Sequence, residues 1–289
     1  MSEEQGLSEI TIQGRNFMLQ KFLIYLHEQK RNLMEITPIF IDEYIEKKCS
    51  NNKYSRRTIQ SDLTDIRLFL RYAQNQNWCQ KNLADSIKTP RIYKNELLPS
   101  APNWKDVKEL LIKTKTDYPT DIRDYAILML LSIYGMRRSE VRNLRLEDID
   151  WRNETISIRR KKTSKSQLLP LSPSVGEAIL NYLKNIRQNN CSAREIFLCM
   201  NAPYRSLCSG SISTIVSRRL EPLNLKIKHH GAHALRHACA TFLINEGIPL
   251  KEISDYLGHQ ELDSTRIYAK VDLTNLRKVS ADLKLGDLL

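Results

Sequence analysis

Apolar residues in the first third of the chain recur at helical spacing. Ile59, Leu63, Ile66, Leu70 and Ala73 stand three or four residues apart, so they line one helix face. Met18, Phe22 and Leu26 mark an earlier helix. Thr37-Pro38 reads as a cap followed by proline at the first helical position, opening a third helix through Tyr44. From residue 88 to 102 the periodicity stops, and Pro90, Pro99 and Pro102 read as an extended linker. Beyond it the pattern is mixed. Asp121 to Tyr134 is apolar nearly all round, as a buried helix would be. Thr155–Ile158 and Gln167–Leu171 read as two short strands joined by a loop at 163–166. Ser172-Pro173 caps a helix through Ile186. Two more helices follow, Ala232–Glu246 stopped by Gly247 and Pro249–Leu257 stopped by Gly258. The expected fold class is mainly α with a small β-sheet. A helical domain is expected over residues 1–92, a linker over 93–102 and an α+β domain over 103–289.

Charge narrows the choice of partner. The 289 residues include 45 Lys and Arg against 33 Asp and Glu, a net charge of +12. Such a balance suits nucleic acid or an acidic membrane, although a merely basic soluble protein shows the same numbers. The first five residues are polar and acidic, unlike a signal peptide. The longest apolar run, Tyr125 to Tyr134, is too short to cross a bilayer. A soluble intracellular protein is therefore expected. Cysteines stand at 49, 79, 191, 199, 208 and 239 without a Cys-x-x-Cys pair, and read as free thiols. His229, His233 and His237 would share a helix face, yet no nearby Cys or Glu completes a four-ligand zinc set, so no metal site is expected.

Chemistry-bearing residues gather at five places. In Gly135-Met136-Arg137-Arg138-Ser139-Glu140-Val141, Arg137 follows directly on the end of a buried helix, where its planar fork could take two phosphate oxygens. A salt bridge to a neighbour is the ordinary alternative. In His233-Ala234-Leu235-Arg236-His237, His233 and Arg236 are three apart and face the same way, with Leu235 and Phe242 toward the core. That pair suits an anionic transition state, but His-x-x-Arg is common by chance and often structural. His259 follows the Gly258 turn and could simply cap a helix, and Tyr268, nine residues on, could be a half-buried amphipathic tyrosine. The run Arg159-Arg160-Lys161-Lys162-Thr163-Ser164-Lys165 is a basic hairpin, or a solvated turn. In the helical front half, Arg56, Arg57, Arg67 and Arg71 interleave with the apolar stripe, which fits either a DNA-facing or a solvated face.

The order of these elements resembles the tyrosine recombinase (phage integrase) family. An arginine motif comes first, with Leu144-Arg145-Leu146-Glu147-Asp148-Ile149-Asp150 behind it. A hairpin lysine, His233-x-x-Arg236, Leu257-Gly258-His259 and Tyr268 follow. Length and the helical front half are most similar to the compact Xer-type bacterial members. Ala269-Lys270 stands where Xer relatives often have Thr-His. The resemblance implies Arg137, Lys162, His233, Arg236 and His259 as catalytic groups and Tyr268 as nucleophile. Lys162 is placed by counting back from Leu169-Pro170-Leu171, and Lys161 and Lys165 stay open for its role. Beside the resemblance, the interleaved front-half arginines and the basic hairpin make Arg56, Arg57, Arg67, Arg71, Arg159, Arg160, Lys161 and Lys165 the expected DNA contacts. The resemblance further implies cleavage and rejoining of DNA through a 3′-phosphotyrosine without metal or ATP, with no cofactor. The partners it implies are a double-stranded recombination site and further protomers, a dimer on one site and a tetramer in synapsis, or a related recombinase. The place of action would be the cytoplasm, on the nucleoid. Two rivals share many of these features: a type IB topoisomerase, and a DNA-binding regulator that has lost catalysis. Leu273, Leu276, Val279 and Leu283 recur at roughly helical spacing in the tail. They could dock on a neighbouring subunit or pack on their own domain.

Overall fold

The computed structural model describes residues 7, 9–50, 54–90, 101–160, 165–189, 191–208, 210–227 and 230–258. The chain divides into two compact units, Met1–Lys94 and Asn95–Leu289.

The first unit is helical: α1 (Glu9–Glu28), α2 (Pro38–Ser50), α3 (Arg56–Asn75) and the single turn α4 (Leu83–Ser86). The stripe on α3 is buried as its spacing predicts, with Ile59, Leu63, Ile66, Leu70 and Ala73 packed against Met18, Phe22 and Leu26 of α1. Phe40 and Tyr44 of α2 close the core through ring contacts with Tyr25 at 5.3 and 5.1 Å. The second helix runs six residues past Tyr44, held in part by Lys48 Nζ on Asp62 at 2.6 Å.

The second unit is built around α6 (Pro119–Ile133), whose residues Ala126 to Leu131 are all buried. A helix apolar on every side must be covered on every side. Here α5 (Trp104–Thr114), α8 (Pro173–Asn185), α9 (Ser211–Leu220) and α10 (Ala232–Asn245) pack on it. The short α7 (Arg138–Arg142) follows α6, and α11 (Leu250–Leu257) follows α10. One antiparallel sheet joins β1 (Ile149–Asp150), β2 (Thr155–Arg160) and β3 (Lys165–Pro170) in that order. Its register pairs Ile156 with Leu169, Ile158 with Gln167 and Arg160 with Lys165. The hairpin loop expected at 163–166 is therefore shifted, because Lys165 and Ser166 already pair as strand. Apolar alternation ends before the backbone ladder does, so the sequence pattern understates strand length. Helices α5, α7 and α9 were not foreseen. The mainly helical class with one small sheet holds. Among the described residues, no helix is long and apolar enough to cross a membrane.

Candidate active site

The site is assembled at the places where helices end. Tyr134 caps α6, and Gly135 then turns the chain with φ +55°, a conformation glycine adopts without strain. That turn sets Arg137 at the N-cap of α7. Glu140, buried one turn on, accepts from the Arg137 backbone N–H at 2.7 Å and from its Nη1 at 2.8 Å. The ordinary alternative for Arg137, a salt bridge to a neighbour, is thus present. The same guanidinium also reaches out of its own element, because Nη2 donates to the Gly258 carbonyl at 3.0 Å.

Arg236 lies on α10 and is only 3% exposed. A buried guanidinium is costly unless its N–H groups are satisfied. Nη1 donates to the Gly135 carbonyl at 2.5 Å and Nη2 to the Leu257 carbonyl at 2.8 Å. Both acceptors stand at helix C-terminal ends, where carbonyls lack intrahelical partners and the helix dipole is negative. The two arginines from distant motifs therefore meet on consecutive carbonyl oxygens, those of Leu257 and Gly258. Gly258 has the left-handed geometry foreseen for it, φ 63° and ψ 50°, and its N–H closes back on Asp255. His259, the next residue, lies outside the described residues.

His233 opens to solvent one turn before Arg236. Its pKa is lowered from the usual histidine value by partial desolvation, and then by the positive charges of Arg236, Arg138 and Arg137. Because the ring keeps access to water, the three guanidinium groups are the firmer of these causes. The result is an imidazole that is neutral at pH 7 and able to accept a proton. His237 stands 6.1 Å from it, centroid to centroid. Leu235 faces the core as expected, while Phe242 is half-buried and stacks on Trp104 at 4.2 Å.

Two tyrosines beside the arginines are structural. The Tyr256 hydroxyl donates to the Ile133 carbonyl at 2.9 Å, and burial drives its pKa upward, with Cys239 and Tyr134 adding to the effect. The Tyr134 hydroxyl donates to the Pro170 carbonyl and accepts from the Ser172 N–H, both at 2.8 Å; burial raises its pKa. A phenol whose proton is held more tightly is a poor nucleophile. Burial likewise pushes the Cys239 thiol to about 12.

The remaining sequence-predicted residues make contacts of their own or lie outside the described residues. Arg159 is tied to Asp148, Nε at 2.9 Å and Nη2 at 2.7 Å, and is still half-exposed. Arg67 donates to the Ile87 carbonyl at 2.7 Å and Arg71 pairs with Asp85 at 3.0 Å, so both serve their own unit. Arg56 and Arg57 are exposed in the first turn of α3, where a cation opposes the helix dipole. Lys161, Lys162, His229 and Tyr268 lie outside the described residues, as do the tail positions Leu273 to Leu283. Nothing is described for the side chains of Arg160 and Lys165. Three residues of the second unit that hold others in place carried unequal signals. Glu140 had a signal in the spacing Arg137-x-x-Glu140, a carboxylate at the third helical position. Gln167 had little, a single polar residue in an apolar strand. Asp124, fully buried against Arg123, Arg218 and Arg219, had none. Among the described residues no cluster of His, Cys, Asp and Glu could hold a metal.

Comparison with known proteins bears on this geometry. Residues 104–274 match the phage integrase family, and residues 1–77 match its N-terminal SAM-like domain. A Sinorhizobium fredii protein named as an integrase/recombinase, y4gC, is 43% identical over 188 residues, covering 64% of this chain and 96% of that protein. The tyrosine recombinase XerC of Bacillus pumilus is 27% identical over 284 residues, covering 95% of this chain and 90% of its own length. Among solved structures, the XerH site-specific recombinase bound to a palindromic difH substrate superposes with a TM-score of 0.75 at 21% identity. It covers 94% of this chain and 79% of that one.

Proposed function

The chain belongs to the phage integrase family, and from that premise we propose that it is a site-specific DNA recombinase acting through Tyr268. The observation that carries this reading is the meeting of Arg137 and Arg236 on adjacent carbonyls directly ahead of His259. Phosphoryl transfer asks a protein mainly for positioning and for fixed positive charge around the crowded phosphorus. Two guanidinium groups held by main-chain oxygens are stiff donors for its non-bridging oxygens, and His259 would add a third.

In the forward step the Tyr268 phenolic oxygen bonds to phosphorus as the bond from phosphorus to the sugar 5′ oxygen breaks. The phenol, with an ordinary pKa of about 10, gives its proton to neutral His233. The leaving 5′ oxygen takes a proton from Lys162 on the β2–β3 hairpin. One phosphorus–oxygen bond replaces another, so a second 5′ hydroxyl can reverse the step with no ATP. Fixed cations supply the charge, so no divalent metal is required. Residues 1–92 would form a helical DNA-binding domain, with Arg56 and Arg57 at the α3 N-terminus facing phosphates, and residues 103–289 the catalytic domain. Double-stranded DNA in the cytoplasm would be the substrate, bound by a dimer at one site and a tetramer in synapsis.

The test begins with the Tyr268→Phe variant, used to select a binding site from random-sequence duplexes. The wild-type protein is then mixed with that site carrying a nick beside the scissile phosphate. A covalent protein–DNA adduct should form in EDTA without ATP, and should vanish in Tyr268→Phe. Equal adduct in both proteins, or none in either, overturns the reading.

A further inference from the structure

The C-terminal end of α11 is gripped from a third direction. Gln167 of β3 donates from Nε2 to the Asp255 carbonyl at 2.9 Å and to the Tyr256 carbonyl at 3.4 Å. Both partners are acceptors, so it is the carboxamide NH2 group that faces them. Four successive carbonyls are thereby held by three elements. Gln167 takes 255 and 256, Arg236 takes 257 and Arg137 takes 258.

The strand that carries Gln167 pairs with β2. It is the edge of a three-stranded sheet. Its side chains alternate, with Gln167 and Leu169 partly covered and Ser166, Leu168 and Pro170 exposed. Leu168 is 66% exposed. Opposite Gln167 stands fully buried Ile158, so an amide occupies the place where the inward pattern calls for an apolar residue. Two pairs further along, Arg160 meets Lys165, and between them in sequence lie only residues 161–164, including Lys162.

We propose that Gln167 is a positioning residue, which sets the lysine-bearing hairpin against the helix end that orients both arginines. This rests on the reading of the hairpin lysine as proton donor to the 5′ oxygen. Gln167 does not touch DNA in this account; it fixes where the strand beneath the lysine stands relative to the phosphate clamp. Its loss should therefore harm the protonation that the lysine supplies and spare the charge stabilisation that the arginines supply.

A substrate with sulfur in place of the bridging 5′ oxygen separates the two. The thiolate leaves without a proton, so the lysine becomes dispensable. Single-turnover adduct formation is measured on the selected nicked site with oxygen and with sulfur, for wild type, Gln167→Leu, Gln167→Glu and alanine variants of Lys161, Lys162 and Lys165. Gln167→Leu should slow the oxygen substrate about five-fold, the size of one net hydrogen bond, and the sulfur substrate by less than about two-fold. Gln167→Glu, which sets a carboxylate against two carbonyl oxygens, should slow the oxygen substrate more. The thermal midpoint should fall by no more than about 2–4 °C for Gln167→Leu, and its DNA affinity should match wild type. Equal slowing on both substrates, or slowing on neither, overturns the proposal. If a lysine variant is rescued by sulfur and Gln167→Leu is not, the proton-donor reading stands and this inference alone falls. If no lysine variant is rescued, the proton-donor reading falls and Gln167's role falls with it.

Discussion

Replacing Gly135 by alanine probes the joint between α6 and α11. Gly135 has φ +55°, and an added Cβ would collide with Leu257 Cδ2 and lie 3.4 Å from Cys239 Sγ and 3.7 Å from Arg236 Cγ. The left-handed backbone alone costs an L-residue about 1–2 kcal/mol. Leu257 is fully buried, so moving it aside adds about 1–3 kcal/mol of overpacking. The sum, about 2–5 kcal/mol, is a large share of the stability of one domain. In a domain of this size it lowers the thermal midpoint by about 4–20 °C. Urea unfolding measures it directly. Gly247→Ala is the comparison, because Gly247 has φ +82° with nothing near its missing Cβ, so only backbone strain applies. A cycle with Leu257→Ala isolates the collision. In that background Gly135→Ala should cost only the strain, about 1–2 kcal/mol. An equal cost in both backgrounds, or a cost no greater than that of Gly247→Ala, refutes the reasoning.

Cleavage should persist as pH falls to about 6.5, the ordinary histidine value, and fail only below it, because His233 resists protonation. The unfolded chain takes that proton more readily, so the stability linked to His233 is full above that value and declines as pH falls beneath it. Arg138→Gln removes one repelling charge and should move the loss of single-turnover rate to higher pH; an unmoved profile would contradict the charge argument. Asp124→Ala strands the buried Arg123 and should cost about 3–5 kcal/mol in urea unfolding, and a loss under about 1 kcal/mol would show the network relaxes. Trp104→Ala and Phe242→Ala, combined in a double-mutant cycle, should show a coupling of about 0.5–1.5 kcal/mol from their stacked rings, and additivity would deny that contact.

The helices that bury a regular stripe were legible, since the spacing of Ile59 to Ala73 is itself the instruction for packing. Helix α9 carried the same signal in Ile212, Ile215, Val216 and Leu220, with lower contrast because serines and arginines stand between them. Strand ends were not legible, because backbone pairing at Arg160 and Lys165 leaves no apolar trace. At the site, Arg137 and Arg236 could be read from their motifs, but not what holds them. Beside Glu140, which its spacing signals, the partners described are carbonyl oxygens at 135, 257 and 258, and every residue carries a carbonyl. Gln167 was hidden for the same reason.

Because that grip falls on the peptide groups of α11 and not on its side chains, it is blind to lettering and sensitive to count. Positions 254 to 257 can change identity, within the limits of packing, without releasing either arginine. One residue inserted or removed there would rotate every carbonyl by about 100° and unseat both together. Relatives with divergent helices should therefore share the spacing from this turn to the arginines' elements more strictly than the residues that fill it.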